Sequence, residues 1–426
     1  MDPHPAGVLP MPGRQRIPGQ LSALAVLCLV FLPYALGHYL SCLLRNVNAI
    51  LAPQLVSALA LSPGQLGLLT SAYFFSFAFA QLPVGLALDR FGPRRVQSAM
   101  LLLAAIGTFA FAGSSSFTQL IWARGIMGLG LAGCFMAALK AISTWIAPAR
   151  LPSVQGYLIA AGGLGAASAT LPVRLALHHM DWRWVFIWLA GACILVSLLI
   201  WLLSPTPPAA QPKPFHRRMV LEICSHASFR EVAALVLIPH TVFFGVQGLW
   251  IGRWLTDVAK LGEQSVAWLL YLSMAAVIFG AIAVGMITEW AGRRGIPPLT
   301  VAGVGVSLFI IVQTGFVLGW APGFPMLSVL FTLVGTITGI EYAIVTQSMP
   351  STLTGRASTC LNLLIFLGAF LVQAGFGQVI GMWQPDSMNR YPAAAYQTAF
   401  GILIAAQFPG LCWFVMRQRR RLRGTL

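Results

Sequence analysis

The stretch Gly85-Leu-Ala-Leu-Asp89-Arg90-Phe-Gly92-Pro-Arg94-Arg95 closes one apolar segment and opens the next. Two hundred residues later Gly285-Met-Ile-Thr-Glu289-Trp-Ala-Gly292-Arg293-Arg294-Gly295 does the same. Both copies read glycine, three residues, an acid, two residues, glycine, one residue, arginine, and both lie between segments long enough to cross a bilayer. The chain therefore reads as a duplicated membrane unit. Each carboxylate sits where a helix ends with its partial negative charge, a poor place for an anion unless a cation or the start of another helix offsets it. A conformational latch is expected, made of Gly85, Asp89, Arg90, Gly92 and Arg94 in the first copy and Glu289, Gly292 and Arg294 in the second. The dipole argument places Asp89 near the helix start at Ser358 and Glu289 near that at Ser153.

Composition sets the class. Of 426 residues 58% are hydrophobic and 8% charged, against about 25% charged in ordinary soluble domains. Apolar segments at about 21–56, 64–88, 96–114, 117–146, 152–177, 183–203, 230–256, 264–289, 297–318, 324–348, 357–382 and 395–416 mostly meet the roughly 20 residues needed to span a bilayer. The fold class is all-α integral membrane, with twelve helices in two pseudo-symmetric bundles of six. The organisation is a disordered cytoplasmic tail (1–20), an N-terminal bundle (21–203), a Pro-rich basic linker (204–229), a C-terminal bundle (230–416) and a basic tail (417–426). Eighteen of the 26 Lys and Arg residues fall on the side of the termini and the two repeat loops, so both termini are expected in the cytoplasm. The net charge of +16 lies in short loops and the C-terminal tail rather than on one soluble face, which excludes nucleic acid as a partner. Seven scattered cysteines show no paired spacing, so neither disulfides nor a zinc site is expected, and the chain reads as a monomer without cofactor or enzymatic chemistry.

The two repeat loops resemble the signature loops of the major facilitator superfamily, between helices 2 and 3 and, in degenerate form, between helices 8 and 9. That resemblance covers nearly the whole chain. It implies one central site that faces alternately inward and outward. Arg124-Gly125-Ile-Met-Gly128-Leu-Gly130 resembles the helix 4 motif of the same superfamily, with Met127 where glutamine is expected. Arg45-Asn-Val-Asn-Ala49-Ile-Leu-Ala-Pro53-Gln-Leu55 is similar to the first helix of the organophosphate:phosphate antiporter and anion–cation symporter group, in which an arginine there contacts the anionic substrate. The second arginine that those relatives carry in helix 7 has no counterpart, for Gly245, Val246 and Gln247 stand in its place.

Within the spans, each ionisable residue is a functional candidate, because a charge in hydrocarbon is costly. Tyr34, His38, Ser41, Arg45 and Asn48 are spaced 4, 3, 4 and 3 and form one polar stripe on an otherwise apolar helix, expected to face the central cavity. Arg45 then offers a fork of donors to a carboxylate or phosphate. The other reading takes it to the outer interface. Lys140 is expected as a second cavity cation, or else as a lysine reaching the cytoplasmic interface. Arg124 either couples to the proton or holds neighbouring backbone. Glu341 is the one acid well inside a span, so it must be protonated or paired, which makes it the leading proton-coupling residue. His38 and His240 titrate near neutrality and can share that task. Gln247, seven residues after His240, and Asn362 and Gln373 on one face of helix 11 complete the candidate substrate ligands. The combined reading is a secondary transporter for a small organic or phosphorylated anion, coupled to protons, in the cytoplasmic membrane. The alternatives are a proton-driven exporter of drugs or siderophore-like compounds and a membrane sensor or assembly factor that transports nothing.

Overall fold

Eleven helices among the described residues are long and apolar enough to cross a membrane. One of them, Pro63–Ala112, has 50 residues, roughly 75 Å at 1.5 Å per residue, which is two bilayer crossings. Its reversal point is Gly92, whose φ of 79° and ψ of 163° lie outside helical space. Only glycine takes that conformation without strain, and Pro93 starts the next helix with its φ already set. Divided there, the chain has the twelve spans that the apolar segments predict. The computed structural model describes residues 22–146, 151–205, 223–319, 324–348 and 354–422. The expected tail 1–20, most of the linker and the end of the basic tail lie outside them.

The spans are α1 (Leu24–Asn46), α2 (63–91), α3 (93–112), α4 (Phe117–Trp145), α5 (Val154–Ala176), α6 (Trp182–Leu203), α7 (Ala227–Gln247), α8 (Glu263–Gly292), α9 (Pro298–Leu318), α10 (Pro325–Val345), α11 (Ala357–Ile380) and α12 (Ala393–Arg419). Four of them are interrupted, and they are related by the repeat. In α1 a π-turn occupies Leu27–Phe31, two residues before Pro33; in α7 one occupies Ala233–Leu237, two residues before Pro239. Proline has no N–H to give the preceding turn, and the wider turn absorbs the mismatch. Near their far ends both helices break, after Asn46 and after Gln247, and continue as the short helices Asn48–Leu59 and Trp250–Asp257. In the same way α4 breaks at Ala132–Gly133, and α10 passes through a 3₁₀ turn at Thr336–Gly339. A break in a helix leaves backbone groups there without their intrahelical partners.

The halves meet along two seams. In one, α2 lies on α11, with Phe77 and Phe366 ring centres 4.4 Å apart. In the other, α5 faces α8, and Arg174 pairs with Glu263 at the end remote from the Asp89 loop. Within the N-terminal half α1 lies so close to α5 that a Cβ on Gly165 would collide with the Tyr39 carbonyl oxygen. Small residues at such crossings let backbones pack where no hydrophobic effect drives helices together.

The turn of the second repeat is built differently from that of the first. Gly292 is the last residue of α8, and the left-handed conformation falls on Gly295, with φ 74°. The copies share their sequence spacing, yet the second one reverses three residues later.

Candidate functional site

Arg45 lies one residue before the break in α1. It is half-buried, with Nη2 3.7 Å from Cys42 Sγ and its guanidinium carbon 5.2 Å from the centre of the Phe244 ring on α7. Among the described residues no acid pairs with it, whereas Lys140, Arg174, Arg253 and Arg417 each hold a carboxylate. His38 stands one turn below Cys42, Nε2 to Sγ 3.8 Å, with its ring against Phe135. Behind this row Arg124 is fully buried. Its Nη1 donates to the Leu44 carbonyl at 2.7 Å and its Nη2 to the Arg45 carbonyl at 3.1 Å, while its guanidinium covers the Tyr73 ring. Those carbonyls belong to the last turn of α1, where a helix end carries partial negative charge and lacks intrahelical donors. Arg124 thus fixes the backbone that carries Arg45.

Across the seam, His240 Nδ1 is bonded to Glu341 Oε1, and both side chains are almost wholly buried. Glu341 opens the second part of α10, immediately after the 3₁₀ turn and Ile340. Its other oxygen, Oε2, has no hydrogen-bond partner among the described residues. The His240 ring stacks on Phe244, centres 5.0 Å apart at 25°, and meets Tyr342 edge-on. Arg45, Phe244, His240 and Glu341 therefore form one column that runs from the first half into the second.

Several expected positions are corrected. Lys140 is not a cavity cation: its ammonium lies 2.5 Å from Asp89 Oδ1 and 2.8 Å from the Leu88 carbonyl, because its long stem reaches the helix end where an acid needs a partner. That also identifies the cation beside Asp89, while Arg90 covers Phe91 and Arg94 covers Trp201. Glu289 pairs with Arg293 one turn on, at 2.6 Å, and Arg294 stacks on Trp290; the side chain of Ser153 lies outside the described residues. Tyr34, 1% exposed, turns to Ser204 of α6, since α1 meets different neighbours along its length. Asn48 lies beyond the break and donates to Thr70 of α2 at 3.4 Å. The stripe is continuous in sequence, but Arg45 reaches across to Phe244 of the second half while His38 packs against Phe135 of α4 within the first. Asn362 has both amide ends engaged, accepting from the Tyr342 hydroxyl at 2.7 Å and donating to Gln81 Oε1 at 3.0 Å, so it bridges the halves instead of waiting for a ligand.

Gln247 remains near the seam, with Nε2 3.7 Å from Met274 Sδ. Gln373 is fully buried, and neither its side-chain nitrogen nor its oxygen has a partner among the described residues. Asn46 Oδ1 and Gln373 Nε2 converge on Gly248 at the break in α7, each 3.9 Å from where a Cβ would stand. Sequence reasoning did not single out Asn46, Gln81 or Phe244. Phe244 carried one available signal, its position one turn after His240.

Residues 34–373 match the family model for the Major Facilitator Superfamily. The chain is similar to the hexuronate transporter of Escherichia coli K12, 25% identical over 90% of this chain and 92% of that protein. It is also similar to the galacturonate transporter of Dickeya chrysanthemi, 32% identical over 42% of this chain and 51% of that one. Among solved structures it superposes on a bacterial homologue of the human lysosomal transporter Spinster in an inward-facing, unoccupied conformation, with a TM-score of 0.74, 18% identity, and coverage of 92% of this chain and 97% of that one. With twelve apolar helices, a duplicated signature loop and interrupted helices flanking the seam, this multi-pass membrane protein is a transporter and not an enzyme, and it belongs to the Major Facilitator Superfamily.

Proposed function

We propose that the chain carries a small organic anion, a sugar acid by preference, across the cytoplasmic membrane by alternating access, with a proton taken up at the His240–Glu341 pair. The observation that carries this reading is Arg45: a half-buried guanidinium at the seam between the halves, with no acid among the described residues to neutralise it. A carboxylate fits that fork with two parallel, charge-assisted hydrogen bonds. The sugar-acid preference draws on the relatives, named for hexuronate and galacturonate. It also draws on the amides of Asn46 and Gln373, which converge at Gly248 with hydrogen-bonding capacity to spare for hydroxyl groups. Glu341 supports the proton role by its place, a fully buried carboxylate bonded through one oxygen to His240 while the other oxygen has no partner among the described residues. Both termini lie in the cytoplasm in this reading, as the bias of Lys and Arg indicates.

A thermal-shift screen of the purified protein against sugar acids, phosphate esters, other organic anions and apolar cations, with Arg45→Ala as control, tests the assignment. Stabilisation by a sugar acid that disappears in Arg45→Ala is the expected result. Equal stabilisation of both proteins would defeat it, and stabilisation by apolar cations alone would favour an exporter.

A further inference from the structure

Arg45 and Glu341 lie in opposite halves of this protein, and among the described residues no ion pair joins them. Glu341 has an oxygen with no partner among the described residues, and Arg45 has a guanidinium with no acid. A fully buried acid and a half-buried base attract more strongly than they would in bulk water, because less water screens them. One aromatic ring, Phe244, contacts both Arg45 and the histidine bonded to Glu341. Phe244 lies 5.2 Å from the Arg45 guanidinium carbon and 5.0 Å from the His240 ring, which is in turn bonded to Glu341. Arg45 and His240 are thus no more than about 10 Å apart, within mutual electrostatic reach.

We propose that Phe244 is a positioning residue, a spacer that keeps Arg45 beside the His240–Glu341 pair but off it, so that Glu341 and the transported anion compete for one guanidinium. The inference rests on the anion and proton reading above. An aromatic face attracts a cation without neutralising it, so Arg45 is held and still able to bind an anion. When the pair is ionised with net negative charge, it draws Arg45 against the ring and away from the substrate. A proton on the pair cancels that pull and releases Arg45 to the anion. Proton binding therefore raises anion affinity, and by linkage the anion raises proton affinity to the same degree, which is the thermodynamic condition for moving both together.

The titratable and charged groups disposed around the pair agree with this assignment. Helix α1 brings Arg45, Cys42 and His38, α10 itself brings Tyr342, and Cys360 comes from α11 in the same apolar cluster as Val345. At the foot of α7, Glu231 is held by Arg417 at 2.5 Å. Arg45 is thus the one guanidinium or ammonium among these groups that lacks a carboxylate.

The test compares Phe244→Ala, Phe244→Tyr, Glu341→Gln and the double variant Phe244→Ala/Glu341→Gln in the full chain. Galacturonate binding is measured by calorimetry at acidic and neutral pH. Removing the ring lets Arg45 collapse onto Glu341, so Phe244→Ala is expected to lose about tenfold or more in affinity and most of its pH dependence. The double variant has no carboxylate to capture Arg45 and should bind within about threefold of Glu341→Gln alone, a coupling that loss of packing cannot produce. Phe244→Tyr keeps the aromatic face and should match the natural protein. Wild-type affinity and pH profile in Phe244→Ala, or a loss that persists in the double variant, would overturn the proposal. A second readout needs no ligand: the Glu341 carboxyl band in infrared difference spectra, identified by its loss in Glu341→Gln, should titrate in the natural protein and stay ionised in Phe244→Ala. If the natural protein fails to bind galacturonate, the sugar-acid reading falls, and the infrared titration alone decides the role of Phe244. A band that titrates alike in both proteins would refute it.

Discussion

Helices α1 and α7 share a π-turn two residues ahead of a proline and a break that leads into a further short helix. Their side chains have parted. Just before its break α1 carries Arg45, whereas α7 carries Val246 and Gln247 there and has its nearest ionisable residue two turns earlier, at His240. The comparison teaches that what survives duplication is the mechanics of the backbone. A proline removes the same hydrogen bond in each copy and enforces the same turn. Charge is free to segregate, and here the cation sits in one half and the acid pair in the other. A carrier that must bind an anion and a proton together can use that asymmetry, because neither half alone holds both charges.

The two halves can be set against one another experimentally. The largest expected effect on stability belongs to Arg124. Replacing it with Leu leaves the Leu44 and Arg45 carbonyls without donors in a dry interior, and the loss should reach about 2–3 kcal/mol, seen as a lower unfolding temperature of the purified protein. No equivalent cation holds the end of α7 among the described residues, so Gln247→Leu should change the unfolding temperature little. The reversal loops give a smaller contrast. Gly92→Ala and Gly295→Ala each force a side chain into a left-handed backbone and should cost about 1–2 kcal/mol, whereas Gly292→Ala, within α8 and with open space around it, should be neutral. Equal effects at Gly92 and Gly292 would mean that both copies reverse at the shared motif position.

The smallest effect separates the ion pairs of the two loops. Lys140 and Asp89 join different helices and retain side-chain exposures of 32% and 49%; Arg293 and Glu289 are neighbours on one helix at 76% and 68%. Double-mutant cycles should give about 0.5–1 kcal/mol for the first pair and a few tenths for the second, both weakened by salt. A stronger second pair would contradict the view that only the first loop is tied to another helix.

Much of the fold was legible in the sequence, because hydrocarbon demands long apolar segments and tolerates few charges. The twelve spans, the duplication and the special position of Glu341 follow from those rules alone. The site was legible only in part. The spacing of Tyr34, His38, Arg45 and Asn48 describes one face of an ideal helix, but that face meets the end of α6 at Tyr34, α4 and α5 at His38, α7 at Arg45, and α2 beyond the break at Asn48. Periodicity cannot reveal which neighbour lies opposite. Lys140 was misplaced for a related reason: its stem is long enough to reach an acid on another helix that is distant in sequence. Asn362 and Phe244 acquire their roles from partners on other helices, Gln81 in one case and Arg45 in the other, and local spacing does not reveal those partners.

The division of labour between Arg45 and the His240–Glu341 pair is tested most directly by galacturonate movement into liposomes containing the purified protein, with proton movement followed in the same vesicles. For Glu341→Gln, exchange of external for internal galacturonate should persist, while accumulation driven by a pH gradient and the accompanying proton uptake disappear; Arg45→Ala should lose exchange and accumulation alike. Accumulation and proton uptake that survive in Glu341→Gln, or exchange that survives in Arg45→Ala, would contradict the account.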